Sequence, residues 1–208
     1  MRPATYESLS ADLDLAVERG DTDEAIRLAD QIDRMEPPRF SLALSALWYA
    51  QHGLWVFPLL PLCKIPWPHS HGLDDATRDP DRIHQWWERD PYSNIGIATG
   101  HLYDVIDFDG PKAHARWGQE YPTWADADVV VSGSVSTPRP GGLHVYVAAT
   151  GAGNVADLFG DGTGVDYRGL GGYVVAPPSV LDDRTGQVAG TYRWLRPIIF
   201  SPDDLDHG

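Results

Sequence analysis

Asp107 and Asp109 are the residues whose type and spacing point most directly to chemistry in this 208-residue chain. They stand in the run Val105-Ile106-Asp107-Phe108-Asp109-Gly110. The period of two expected of a strand puts both carboxylates on one face and Ile106 and Phe108 on the other. At ~3.3 Å of rise per residue the two acids lie about 6 to 7 Å apart. Their mutual repulsion is relieved by a hard divalent cation with oxygen ligands. The same hexapeptide also reads as a solvated strand end entering a turn, so its meaning depends on what the rest of the chain brings to it.

A second concentration of chemistry is Ser136-Thr137-Pro138-Arg139-Pro140-Gly141-Gly142-Leu143-His144-Val145-Tyr146-Val147. Glycines let backbone N–H groups approach an anion, and arginine offers a planar fork that fits phosphate. The strand that follows sets His144 and Tyr146 on one face. His144 reads equally as a phosphate contact or as a satisfied core histidine. A third carboxylate, Asp166, lies in Gly164-Val165-Asp166-Tyr167-Arg168-Gly169, with a charged residue two positions on. Lys64 follows directly on an apolar strand, where a solvated lysine is the ordinary reading. His69 and His71 invite a metal, but a proline-rich loop without a third ligand favours surface residues. The glycines of residues 150–156 nominally fit a dinucleotide-binding pattern, yet too little chain follows to complete its parallel scaffold. A calcium loop over residues 157–166 fails because Phe159 takes its third position.

Composition narrows the classes. Net charge is −14, with eight Trp, nine Tyr and 42% hydrophobic residues, enough for a substantial core without staples. Broad electrostatic binding of nucleic acid needs a basic surface, so any such role here is local, and template binding by this chain alone is expected to be weak. The one cysteine, Cys63, precludes an internal disulfide and a multi-cysteine zinc site. No run approaches the ~18 apolar residues of a membrane span, and the N-terminus lacks the order of a signal peptide. The cytoplasm is the expected location.

The elements that must position these residues follow from pattern and punctuation. Leu9, Leu13, Ala16 and Val17 predict a helix over residues 6–19, and Asp21 with Glu24 opens a second one ending before Pro37-Pro38. Ten acidic and four basic residues fall in the first 36, an acidic helical hairpin suited to packing or a partner. A helix from Ser41 leads to a strand at 54–59, and Asp79-Pro80 starts a helix that Asp90-Pro91 ends. Strands are predicted at 94–100, running into a glycine turn, and at 105–110, 129–131, 143–147, 164–169, 172–176 and 191–195, with a helix over 111–119. The domains are therefore an acidic helical segment (1–38), a main domain (39–200) that carries the candidate chemistry, and a linker-like tail (201–208). Tyr146, Tyr167 and Tyr173 are candidates for stacking on bases, and more ordinarily buried sheet aromatics.

Three strand-borne aspartates, a histidine and an arginine-glycine loop are the parts of two-metal phosphoryl transfer. Their order resembles the bifunctional DNA primase/polymerase domain of the archaeo-eukaryotic primase superfamily: an aspartate pair, a Gly-Gly-x-His strand, an apolar-Asp-x-Arg-Gly segment, then Gly-Tyr-Val-Val-x-Pro-Pro-Ser. The resemblance runs from Leu42 to Pro197 and takes in Lys64-x-Pro66 and the strand from Ile95 to Gly100. It implies an α+β fold of two parts, one resembling an RNA-recognition sheet, with the site in a cleft. It implies that Asp107, Asp109 and Asp166 hold two Mg²⁺ or Mn²⁺ ions, and that His144 contacts the incoming triphosphate. Ser136, Thr137 and Arg139 align with the loop before that histidine, and Lys64 and Arg168 with further phosphate or template contacts. The implied activity is template-dependent primer synthesis and extension in phage or plasmid replication, with single-stranded DNA and nucleoside triphosphates as partners, beside a fused or associated helicase. A metal-dependent nuclease or phosphotransferase, and a non-catalytic single-strand-binding adaptor, are the alternatives.

Overall fold

The computed structural model describes residues 6–24, 27–28, 41–122, 131–183, 188–196 and 198. The chain divides into two compact units, residues 1–41 and 42–208.

In the first unit, α1 (Tyr6–Glu18) ends at Gly20, whose φ of 69° suits glycine. The N–H of Glu24 donates to Asp21 Oδ1 at 3.2 Å, the expected cap of the next helix. Residues 22–24 and 27–28 are helical; the remainder of that predicted helix lies outside the described residues. Ala16 is buried, but Val17 is 63% exposed. The buried stripe runs through Ala16, and Val17 sits about 100° around the helix from it, so the expected inner face was one residue too wide.

The second unit is α+β, with every strand pair antiparallel. Its helices are α2 (Ser41–Gln51), α3 (Pro80–Arg89) and α4 (Pro111–Glu120). Asp79 caps α3 by accepting the N–H of Asp81 at 3.0 Å, and Pro80 stands at its first position. A three-stranded sheet has the order β1 (Val56–Leu59), β2 (Asn94–Ala98), β7 (Tyr173–Ala176). A five-stranded sheet has the order β10 (Arg193–Arg196), β4 (Val131–Ser136), β5 (Gly142–Ala148), β3 (Tyr103–Asp109), β6 (Val165–Arg168). A small hairpin pairs β8 (Val180–Asp182) with β9 (Val188–Thr191). Residues 129–130 of the strand expected at 129–131, and the tail 201–208, are outside the described residues.

β3 lies between β5 and β6 and is covered on both faces. Tyr103 and Val105 join the main core with Tyr146, Val135 and the apolar residues of α2, β1, β2 and α3. Ile106 and Phe108 form a second core with Val145, Val165 and the inner side of α4, Ala113 and Trp117. The strand expected at 191–195 is divided between two sheets at Tyr192: Thr191 closes β9 and Arg193 opens β10. The N–H of Tyr192 donates to Ser179 O at 2.9 Å and its ring is buried. Burying that ring, together with the pairing to Ser179, outweighs a continuous ladder.

Candidate active site

Register builds the site. Asp107 on β3 is directly opposite His144 on β5 and Asp166 on β6, and directly paired residues of antiparallel strands share a face. The strand alternation expected from sequence thus becomes a row, His144, Asp107, Asp166, across three strands. Two positions along, Asp109 is opposite Gly142, at the mouth of the β4–β5 hairpin. That hairpin is closed by Thr137 N–H donating to Gly142 O at 3.1 Å and Gly142 N–H donating to Arg139 O at 2.8 Å. Thr137 Oγ1 fills the space that a Cβ at Gly142 would need. Gly164, at φ 81°, is equally constrained: a Cβ there would come within 2.8 Å of Asp109 Cβ.

Cations meet the carboxylates. Arg168 Nη2 bonds Asp166 Oδ2 and stands 3.6 Å from Asp107 Oδ2. Arg139 Nη1 lies 2.6 Å from Asp109 Oδ1, a pair half open to solvent. Asp166 Oδ1 accepts the N–H of Asp157 at 2.7 Å, a backbone donor from the β5–β6 loop that nothing in the sequence signals. Lys64 is exposed, in a turn held by Tyr173 Oη donating to Lys64 O at 3.0 Å; its charge reaches both Asp107 and His144.

Asp107 is unlike its neighbours. Its side chain is only 14% exposed, and burial pushes its carboxyl up to about 6, with Arg168 pulling the other way and the charge of Asp109 adding to the rise. His144 is buried, and burial, then the charges of Lys64 and Arg168, push it down to about 3. It is neutral, so its Nε2 at 3.6 Å from Asp107 Oδ1 is a polar contact and not an ion pair. Its Nδ1 is buried with no hydrogen-bond partner among the described residues, as are the hydroxyls of Tyr146 and Tyr192. The Tyr192 ring packs 5.6 Å from that of His144. Tyr192, distant in sequence and without a motif, went unnoticed in the sequence, and Tyr146 is the buried aromatic of its ordinary reading.

The structure brings together Asp107, Asp166, His144, Arg168 and Lys64, with Asp109 and Arg139 at the hairpin beside them. Ser136 does not join them. It is opposite Leu143, on the face away from His144, and its hydroxyl donates to Arg193 O at 3.3 Å, because one step along a strand reverses the side chain. Among the described residues no three Asp, Glu, His or Cys side chains converge closely enough to hold a metal ion; guanidinium groups stand against the carboxylates instead. Asp107, Asp109 and Asp166 still offer the carboxylate oxygens that suit a hard cation, and the raised pKa of Asp107 marks a buried negative charge only partly offset by Arg168.

A family model described as bifunctional DNA primase/polymerase, N-terminal, matches residues 46–204. The chain belongs to this primase/polymerase family. All of the residues just described fall within the matched segment, and the fold is the mixed helical and antiparallel-sheet arrangement expected of a primase-like α+β domain. A DNA primase/polymerase-type function, of the nucleotidyltransferase kind, follows for the family member in general. No curated protein matches the chain. Among the described residues no helix is long and apolar enough to cross a membrane.

Proposed function

We propose that the chain catalyses template-dependent, metal-dependent nucleotidyl transfer to a primer 3′-hydroxyl, with Asp107 at the centre of the reaction. The observation carrying this reading is the placement of Asp107: buried on a central strand, flanked in register by His144 and Asp166, and with its pKa raised. Asp107, Asp109 and Asp166 would hold divalent cations, Mg²⁺ or Mn²⁺, which when bound lower the pKa of the 3′-hydroxyl and offset charge on the leaving pyrophosphate. In each transfer the 3′-oxygen, having lost its proton, forms a bond to the α-phosphorus as the bond to the β-phosphate oxygen breaks.

The remaining residues bind and orient. Arg139 and Arg168 neutralise Asp109 and Asp166 in the free protein; they are placed to pass to the triphosphate, whose oxygens match the guanidinium fork. Lys64 adds a point charge on the same side. His144, neutral, offers an N–H or a lone pair without adding a charge beside the phosphates. The N–H groups of Thr137 and Gly142 are engaged in closing the hairpin, and Arg139 is the loop's charged contribution. A replication role in a phage or plasmid, in a bacterial cytoplasm and beside a helicase, belongs to the same proposal.

The arginine pairing is also what a non-catalytic, single-strand-binding adaptor would show, with carboxylates structurally satisfied. Incubation with single-stranded DNA, nucleoside triphosphates and Mn²⁺ or Mg²⁺, with and without an annealed primer, separates the readings. The wild type is expected to extend the primer and Asp107→Ala to lose more than about a hundredfold of that rate. Degradation of the DNA would favour a nuclease. No product, or equal product from the variant, would remove the assignment of Asp107.

A further inference from the structure

A stripe of stacked arginine and tryptophan runs along α3, away from any residue used above. Arg82, Trp86 and Arg89 recur at helical spacing on one side of the helix. The Arg82 guanidinium lies 4.9 Å from the Trp86 ring centroid, Arg89 4.9 Å from that of Trp67, and Arg78, just ahead of the helix, 5.2 Å from that of Trp55. His101 extends the last pair, its ring 5.4 Å from that of Trp55. Ile83 and Trp87 hold the buried side of α3. The acids Asp81 and Glu88 fall on the opposite flank of the stripe, Glu88 engaged by His84 at 3.1 Å. Asp75 pairs with Arg82 at 2.9 Å, while Arg78 and Arg89 have no ion pair among the described residues.

The stripe is built and oriented. Trp67 is fixed by its Nε1–H donating to Ser93 Oγ at 2.8 Å, and the adjacent Trp87 by donation to Ser93 O at 2.9 Å. The Trp55 end is tied to α3 by the bridge between Val56 and Thr77. Trp67 is three residues beyond Lys64, whose charge reaches Asp107, and three residues of chain span at most about 11 Å, which ties the Trp67–Arg89 end of the stripe to a residue facing the carboxylates.

An arginine lying over an indole is held flat. Its outer face is free to stack on a base and its edge N–H groups to meet phosphate. From Arg82 to Arg89 the helix rises about 10 Å, room for ~3 stacked nucleotides at 3.4 Å each. On a chain of net charge −14, nucleic acid is held only where cations are local, and this stripe has planar cations alternating with rings and no aliphatic side chain. We propose that it is a track for single-stranded nucleic acid leading to the carboxylate centre, an inference that rests on the polymerase reading for the destination of the strand. A protein partner, which Trp and Arg also suit, is the competing occupant.

The test is fluorescence anisotropy of a labelled oligodeoxythymidine with the full chain in EDTA, where the carboxylate centre is out of play. The double variant Arg82→Gln/Arg89→Gln changes exposed side chains, and circular dichroism confirms that it is folded. Its affinity is expected to fall about tenfold, and its salt slope to become shallower by about 1.4, two phosphate contacts at ~0.7 each. Trp86→Phe, which keeps a ring, should retain more affinity than Trp86→Leu. Wild-type affinity and slope in the double variant, or no binding by the wild type, overturn the track and leave the stripe to a protein partner. Nucleotide incorporation on a primed template is read separately. Binding that depends on the stripe without incorporation by the wild type would sink the polymerase reading and keep the track; incorporation with unchanged binding in the variant would do the reverse.

Discussion

Asp104 and Asp107 are carboxylates three residues apart on one strand, facing opposite sides of the sheet. Asp104 is fully buried; its Oδ2 is held by neutral donors, the N–H of Thr150 at 2.8 Å and its hydroxyl at 2.9 Å and the hydroxyl of Tyr167, while its Oδ1 has no hydrogen-bond partner among the described residues. Asp107 is slightly more exposed, and the neutral His144 and the charged Arg168 each stand 3.6 Å from it, beyond hydrogen-bonding range. The first ties the start of the β5–β6 loop to β6. The second is left short of partners, and its pKa rises. A buried acid supplied with hydrogen bonds serves the fold; one that burial strains and nearby cations only partly offset is available to a ligand.

That contrast breaks most readily at Asp104. Asp104→Ala removes three hydrogen bonds and leaves the Thr150 and Tyr167 hydroxyls, 2.8 Å apart, only each other, a loss of about 3 kcal/mol at roughly 1 kcal/mol per bond. Denaturant titration reads it directly, while the incorporation rate per folded molecule is expected to stay near wild type. A stable variant would show that this network is not structural.

Asp107→Asn should act with the opposite sign. The folded carboxyl titrates near 6 against ~3.9 unfolded. Above pH 6 the group is ionised in both states, and the raised pKa costs on the order of 3 kcal/mol of stability. The cost shrinks as pH falls from 6 and is gone below about pH 4, where both states are protonated. Metal-free Asp107→Asn is therefore expected to be more stable than wild type at pH 7 to 8, and no more stable at pH 3.5. Equal denaturation midpoints at neutral pH would count against a strained Asp107.

The smallest effect sharpens the same point about faces. Ser136→Ala removes a hydroxyl that bonds Arg193 O on the side away from His144, so stability should move by no more than about 0.5 kcal/mol and incorporation by about twofold. A larger loss of incorporation would return Ser136 to the site.

Much of this was legible in the sequence because it is local. The alternation of Val105 to Asp109, the Asp79-Pro80 start of α3 and the strand carrying His144 and Tyr146 on one face each depend on a few consecutive residues, and all are present. The ordered set of short motifs was enough to point to the family that the chain belongs to. Other features were out of reach because their partners are distant in the chain. Asp104 drew no notice, since its meaning comes from Thr150 and Tyr167. Tyr192 was read as mid-strand, since only its burial beside His144 divides that strand.

By itself, then, the sequence determined most of the elements outside the β8–β9 hairpin, the face on which each carboxylate falls and the family, because propensity and period are properties of neighbouring residues. The tertiary structure alone decided that His144 and Asp166 flank Asp107, that Arg168 and Arg139 take the carboxylates, and that Ser136 faces away. Those outcomes depend on the register between strands far apart in the chain, and register is set by burying the two cores on either side of β3.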